Sequence, residues 1–75
     1  MEIYGNLHRD SGVEKYLIAP TSIKIKFINN NKIYVYNYTK PGKNHVHQMK
    51  KLALAGRGLA TYVSKNIKKN YYSTE

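Results

Sequence analysis

The chain has no cysteine and no tryptophan, one phenylalanine, and only four carboxylate side chains in 75 residues. Without cysteine there is no disulfide and no thiolate metal site, which suits a reducing cytosol. No apolar run approaches the roughly 20 residues of a membrane span. Met1 to Gly5 has neither the charged nor the apolar region of a signal peptide. A chain this short buries only about 60% of its unfolded surface, which leaves little room for a deep cleft beside a core. Ser-His-Asp, paired-carboxylate, phosphate-loop and dinucleotide patterns are all missing. The expectation is therefore a small non-enzymatic protein without a cofactor.

The acids that are present lie at the two ends. Glu2, Asp10 and Glu14 come first and Glu75 is last; from Lys15 to Thr74 there are eleven lysines and Arg57, and no carboxylate. The formal net charge is +9. Cationic self-repulsion opposes compaction, so such imbalance points to a polyanionic partner, nucleic acid first among them. Eight tyrosines add side chains with an apolar body and a polar tip, suited to binding surfaces as well as cores.

Residues 1–12 show no clear period and read as a flexible arm with a short extended stretch at Ile3–Tyr4. Val13 to Ile18 reads as a strand ended by Ala19-Pro20. Ser22 to Ile28 alternates Ile23, Ile25 and Phe27 with Lys24 and Lys26, and Lys32 to Tyr38 alternates Ile33 and Val35 with Tyr34, Tyr36 and Tyr38. With Asn29-Asn30-Asn31 between them they form a β-hairpin over about 22–38. Thr39 to Gly42 breaks the strand, and Thr39 or Asn44 is a candidate cap. Val46, Met49, Leu52 and Ala53 recur at helical spacing and predict a helix over about 42–55. Gly56-Arg57-Gly58 stops it, and Leu59, Val63 and Ile67 predict a second helix over about 59–70. The fold class is α+β: a single domain over 13–72, β-β-β-α-α, with two helices on one face of a small antiparallel sheet.

The hairpin register decides which side chains are wet, since a slip of one residue exchanges the two faces. A three-residue loop pairs Phe27 with Ile33, Ile25 with Val35 and Lys26 with Tyr34, so the aliphatics form the core. Lys24, Lys26, Tyr34, Tyr36 and Tyr38 then share an open face. A two-residue loop pairs Phe27 with Tyr34 and Ile25 with Tyr36 and buries the tyrosines instead. We favour the first, which buries isoleucine and valine and gives Asn31 the left-handed position. Its outer face interleaves aromatics with lysines, the pattern on which single-stranded nucleic acid stacks. The bland alternative is an ordinary solvated strand face.

Lys65, Lys68 and Lys69 share the outer side of the second helix, with Tyr62 and Tyr72 close by, and no glutamate stands three or four residues away to pair them. Lys50 and Lys51 lie on the first helix. Gly56-Arg57-Gly58 precedes a helix start, where free amides and Arg57 suit a phosphate; a plain interhelix turn capped by Gly56 is the alternative. His45 and His47 are two apart, so on a helix they point roughly 200° apart and share no ion. His8, Asp10 and Glu14 form no catalytic set.

The runs Ser22-Ile-Lys-Ile-Lys-Phe27, Tyr34-Val-Tyr36-Asn-Tyr38, Met49-Lys-Lys-Leu-Ala53 and Ala55-Gly-Arg-Gly-Leu59, with Tyr62-Val63, Ile67-Lys68 and Tyr71, resemble small bacterial proteins related to the KTSC domain. That domain is named for the C-terminal extension of some lysyl-tRNA synthetases. The resemblance spans about residues 13–72 and implies the strand-turn-strand and helix-glycine-helix order. It carries over no functional residue, since such domains have no settled activity; the synthetase association is compatible with RNA binding. The turn at Asn29–Asn31 departs from the shorter, glycine-containing turn of that pattern.

These features converge on a basic, sequence-nonspecific module for RNA or DNA, with Lys24, Lys26, Arg57, Lys65, Lys68 and Lys69 on phosphates and Tyr34 and Tyr36 stacking on bases. The alternative is an interaction module or small regulator on an acidic protein surface, or a homodimer through the open sheet face or the edge strand. No metal and no membrane enters either expectation.

Overall fold

The computed structural model describes residues 1–5 and 12–75. His8, Asp10 and the middle of the expected N-terminal arm lie outside the described residues. The strands are β1 (Glu2–Ile3), β2 (Val13–Ala19), β3 (Ser22–Phe27), β4 (Ile33–Asn37) and β5 (Ser73–Thr74). They form one antiparallel sheet in the order β1-β2-β3-β4-β5. Helix α1 (Lys43–Ala55) follows β4, and α2 (Leu59–Tyr62) continues directly into a π-helical turn, Val63–Ile67. The fold is α+β.

One layer of apolar side chains joins the sheet to the helices. Tyr4, Val13, Tyr16, Ile23, Ile25 and Tyr36 meet Val46, Met49 and Ala53 of α1 and Leu59, Val63 and Ile67 of the second helix. The last two sets are the apolar stripes that helical spacing predicts. Helix α1 lies against β3 and β4. Among the described residues no polar or charged residue is buried.

The pairs of the hairpin differ from both expectations, but its faces are those of the two-residue-loop alternative. Ile25 pairs with Tyr34, Ile23 with Tyr36, Lys24 with Val35 and Lys26 with Ile33. The connection is longer than three residues, with Asn29 rather than Asn31 left-handed (φ 62°). The tyrosines therefore share the helix-facing side with the isoleucines, and Ile33 and Val35 face the other way beside the lysines. The expected aromatic and lysine face is absent. Val35 is nonetheless only 8% exposed. The Lys24 ammonium reaches from β3 to Glu75, beyond the end of β5, a 2.9 Å ion pair that spans β4. The preference for burying valine is met on this side too, since Val35 is covered although it faces away from the helices.

Three boundaries also change. The N-terminal residues join the sheet, Glu2 opposite Tyr16 and Ile3 opposite Lys15, and Tyr4 is buried in the core. The second helix ends at Ile67 rather than near residue 70, because Lys68 turns to φ 54°. The chain then returns as β5 along β4, which extends the sheet past residue 72. Gly42 stands at the N-cap of α1 without a side-chain cap. Asn37 instead accepts the amides of Thr39 and Lys40 in the preceding turn.

Candidate functional site

The eight residues singled out in the sequence fall into three groups. Lys24 and Lys26 lie on the sheet face away from the helices, and each has found one of the scarce carboxylates. Lys24 pairs with Glu75 and Lys26 with Glu14 at 2.8 Å. A β-bulge between Val13 and Lys15 brings Glu14 there. The hydrogen bond and charge of Lys26 hold the Glu14 carboxyl below the usual carboxylate range. Exposed pairs of this kind add little stability, yet they partly neutralise the strand lysines as phosphate ligands.

Tyr34 and Tyr36 are on the helix side, where they meet Lys68 and Lys69 instead. Phe27, Asn30, Tyr34, Tyr36, Val63, Lys68, Lys69 and Tyr71 line a hollow of about 270 Å³. The Tyr71 ring lies 4.9 Å from that of Tyr34 and 6.4 Å from that of Tyr36, and Phe27 is 5.4 Å from Tyr34, all edge to face. Asn30 donates to the Tyr34 hydroxyl at 3.0 Å and fixes that ring. Tyr36 is 1% exposed, and burial pushes its phenol pKa up. It is a wall of the hollow, not a solvent-facing stacking platform. Tyr71, Phe27 and Asn30 escaped the sequence reading as site residues. The readable signal was the run Lys68-Lys69-Asn70-Tyr71, whose aromatic follows two cations directly.

Arg57 and Lys65 occur together in a second, more open groove of about 630 Å³ between α1 and α2. Leu52 and Tyr62 give it an apolar wall, and Gln48, Thr61 and Asn66 give it a polar one. The glycine turn beside it is the plain interhelix turn. Gly56 is left-handed at φ 73° and its amide caps Leu52 and Ala53 carbonyls. The Arg57 amide also faces the Leu52 carbonyl, and the Leu59 amide is taken by the Tyr4 hydroxyl. These amides are not available to cradle a phosphate.

The histidines diverge as their spacing requires. His45 Nδ1 meets the Tyr62 hydroxyl at 2.7 Å, and His47 Nε2 meets the Tyr38 hydroxyl at 2.8 Å. Among the described residues no group of three histidines or carboxylates converges on a metal-sized site. Lys43 and Lys50 each stand 5.9 Å from the Tyr38 ring, and Lys50 also donates to the Ala19 carbonyl.

Charge is unevenly distributed along the chain. Glu14 and Glu75 sit with Lys24 and Lys26 on the open side of the sheet. The chain from Tyr38 to Tyr72 contains Lys40, Lys43, Lys50, Lys51, Arg57, Lys65, Lys68 and Lys69 and no carboxylate. No helix of the described residues is long and apolar enough to cross a membrane. No family model, no curated protein and no solved structure matches the chain.

Proposed function

We propose that the protein is a non-enzymatic, basic nucleic-acid-binding module that grips phosphates and does not read sequence. The observation that carries this reading is the acid-free run: from Tyr38 to Tyr72 the chain has seven lysines and Arg57 and no carboxylate. Lys65, Lys68 and Lys69 are exposed there, beside the two hollows that flank the second helix. Phosphate contacts would supply most of the affinity, with Lys65, Lys68, Lys69 and the Arg57 guanidinium as the leading ligands and Lys24 and Lys26 secondary. Membership of the KTSC-like family and a cytoplasmic location belong to the same proposal. The first rests on the hairpin and helix-glycine-helix order, the second on the absence of cysteine.

The test is a fluorescence titration with labelled RNA and DNA oligonucleotides at two salt concentrations. Binding should weaken steeply with salt, by roughly 0.7 in log-log slope for each phosphate neutralised on a single strand. Absence of binding at low salt ends the proposal. A protein partner, or a second copy of the chain, is the other reading. It is favoured by Ile3 and Leu17, which are 77% and 41% exposed on strands β1 and β2. A pull-down with and without nuclease separates the two: partners that persist after nuclease support the protein reading, and light scattering detects self-association.

A further inference from the structure

We propose that the hollow between β4 and the segment following the second helix takes one unstacked base of a single strand, with Lys68 and Lys69 on the flanking phosphates. The inference rests on the nucleic-acid reading above and adds to it a preference for single strands over duplex.

Three features support a base as the occupant. The walls are aromatic: Phe27, Tyr34 and Tyr71 meet only edge to face, at 69° and 75° between ring planes. Among the described residues none of these rings has a parallel neighbour, and Phe27, Tyr34 and Tyr71 are only partly buried, so a flat heterocycle has aromatic surface to pack on. Size sets an upper limit. At about 270 Å³ the hollow is slightly smaller than the roughly 300–1,000 Å³ typical of sites for drug-sized ligands, so it suits one ring system and not an extended chain. The site is also largely preformed, because Asn30 holds the Tyr34 hydroxyl and Tyr36 closes the inner wall with almost no exposure. An ordered pocket loses less entropy when it is filled.

The charge fits the same occupant. Lys68 and Lys69 line the hollow and are both exposed, and neither has a carboxylate partner among the described residues. A nucleotide brings an aromatic ring and a phosphate on either side of it, which matches an aromatic hollow with two cations at its rim. Within a duplex the base faces are covered by their neighbours. Only a base extruded at an unstacking cost would enter, so paired strands are disfavoured. The wider groove at Arg57 and Lys65 is more open and lined by amide side chains, which suits backbone contact.

The probe set is a short labelled oligothymidylate, an abasic strand of the same length and charge, and a duplex of matched length, all at one low salt concentration. The natural strand should bind about five- to 150-fold tighter than the abasic one, the range for one base on an aromatic wall. It should also quench the intrinsic emission, which in a chain without tryptophan comes from tyrosine. Tyr71→Leu should narrow the difference between natural and abasic strands. Equal binding of all three probes, with steep salt dependence retained, overturns the base pocket and leaves the phosphate-gripping reading standing. No binding of any probe overturns both. The comparison of natural with abasic strand uses the unaltered protein, so it decides the matter even where Tyr71→Leu does not fold.

Discussion

The Tyr4 hydroxyl accepts the backbone amide of Leu59 at 3.1 Å inside the core, across 55 positions of sequence. It ties the first strand to the start of the second helix and satisfies one of the amides that a helix start leaves without an intrahelical partner. The backbones also approach closely here: a Cβ on Gly5 would lie 3.3 Å from the Gly56 Cα. Tyr4→Phe keeps the ring and strands the amide. It should cost about 1–3 kcal/mol, read as a lower urea midpoint with an unchanged m-value.

The two faces of the domain should respond differently to loss of charge. Lys68→Ser with Lys69→Ser should weaken oligonucleotide binding and lower the salt slope by about 1.4, two phosphate contacts' worth on a single strand. Lys24→Ser with Lys26→Ser should change both much less, because Glu75 and Glu14 already occupy those lysines. Equal effects from the two double variants would remove the argument from the acid-free run.

Lys68 holds a backbone conformation, φ 54° and ψ −120°, that side-chain-bearing residues rarely adopt. The Asn70 amide closes the turn on the Ile67 carbonyl at 2.9 Å. Glycine adopts this conformation without strain. Lys68→Gly should relieve about 1–3 kcal/mol of strain against roughly 0.4–1 kcal/mol of added unfolded-state entropy, a net gain in chemical denaturation, while weakening oligonucleotide binding. A variant that loses stability would show that the lysine side chain, not its backbone, governs this turn.

Glu14 links folding to pH. Its pKa in the folded protein lies below the ordinary value of 4.5, so its ion pair contributes fully above that value. The contribution fades as pH falls through the lowered folded value. In an NMR titration the Glu14 carboxyl should move back toward 4.5 in Lys26→Met, and Glu14→Gln should flatten the acid limb of the stability profile below about pH 4.5.

The two apolar helix stripes and the hairpin were legible because each follows from a local period. Val46, Met49 and Ala53, and then Leu59, Val63 and Ile67, are all buried. The register was not legible, since β4 offers two plausible faces, Ile33 with Val35 and Tyr34 with Tyr36. The choice turns on β5, a two-residue strand of serine and threonine with no apolar pattern. The bulge at Glu14 and the reach of Lys24 to Glu75 across 51 positions are tertiary facts with no local signal. Tyr34 and Tyr36 share a hollow with Lys68 and Lys69, in place of the expected open strand face with Lys24 and Lys26. Alternation along β3 could not show that β5 returns beside β4 and carries Tyr71 with it.

A net charge of +9, with its longest acid-free run in the helical segment, gives the domain an uneven field. Near any polyanion such a body experiences a torque before contact, and it rotates until the helical side leads. Encounters are then productive more often than random collision allows, and added salt should slow association more than it speeds release. Stopped-flow rates at several ionic strengths would separate this orientation in flight from the strength of the final grip.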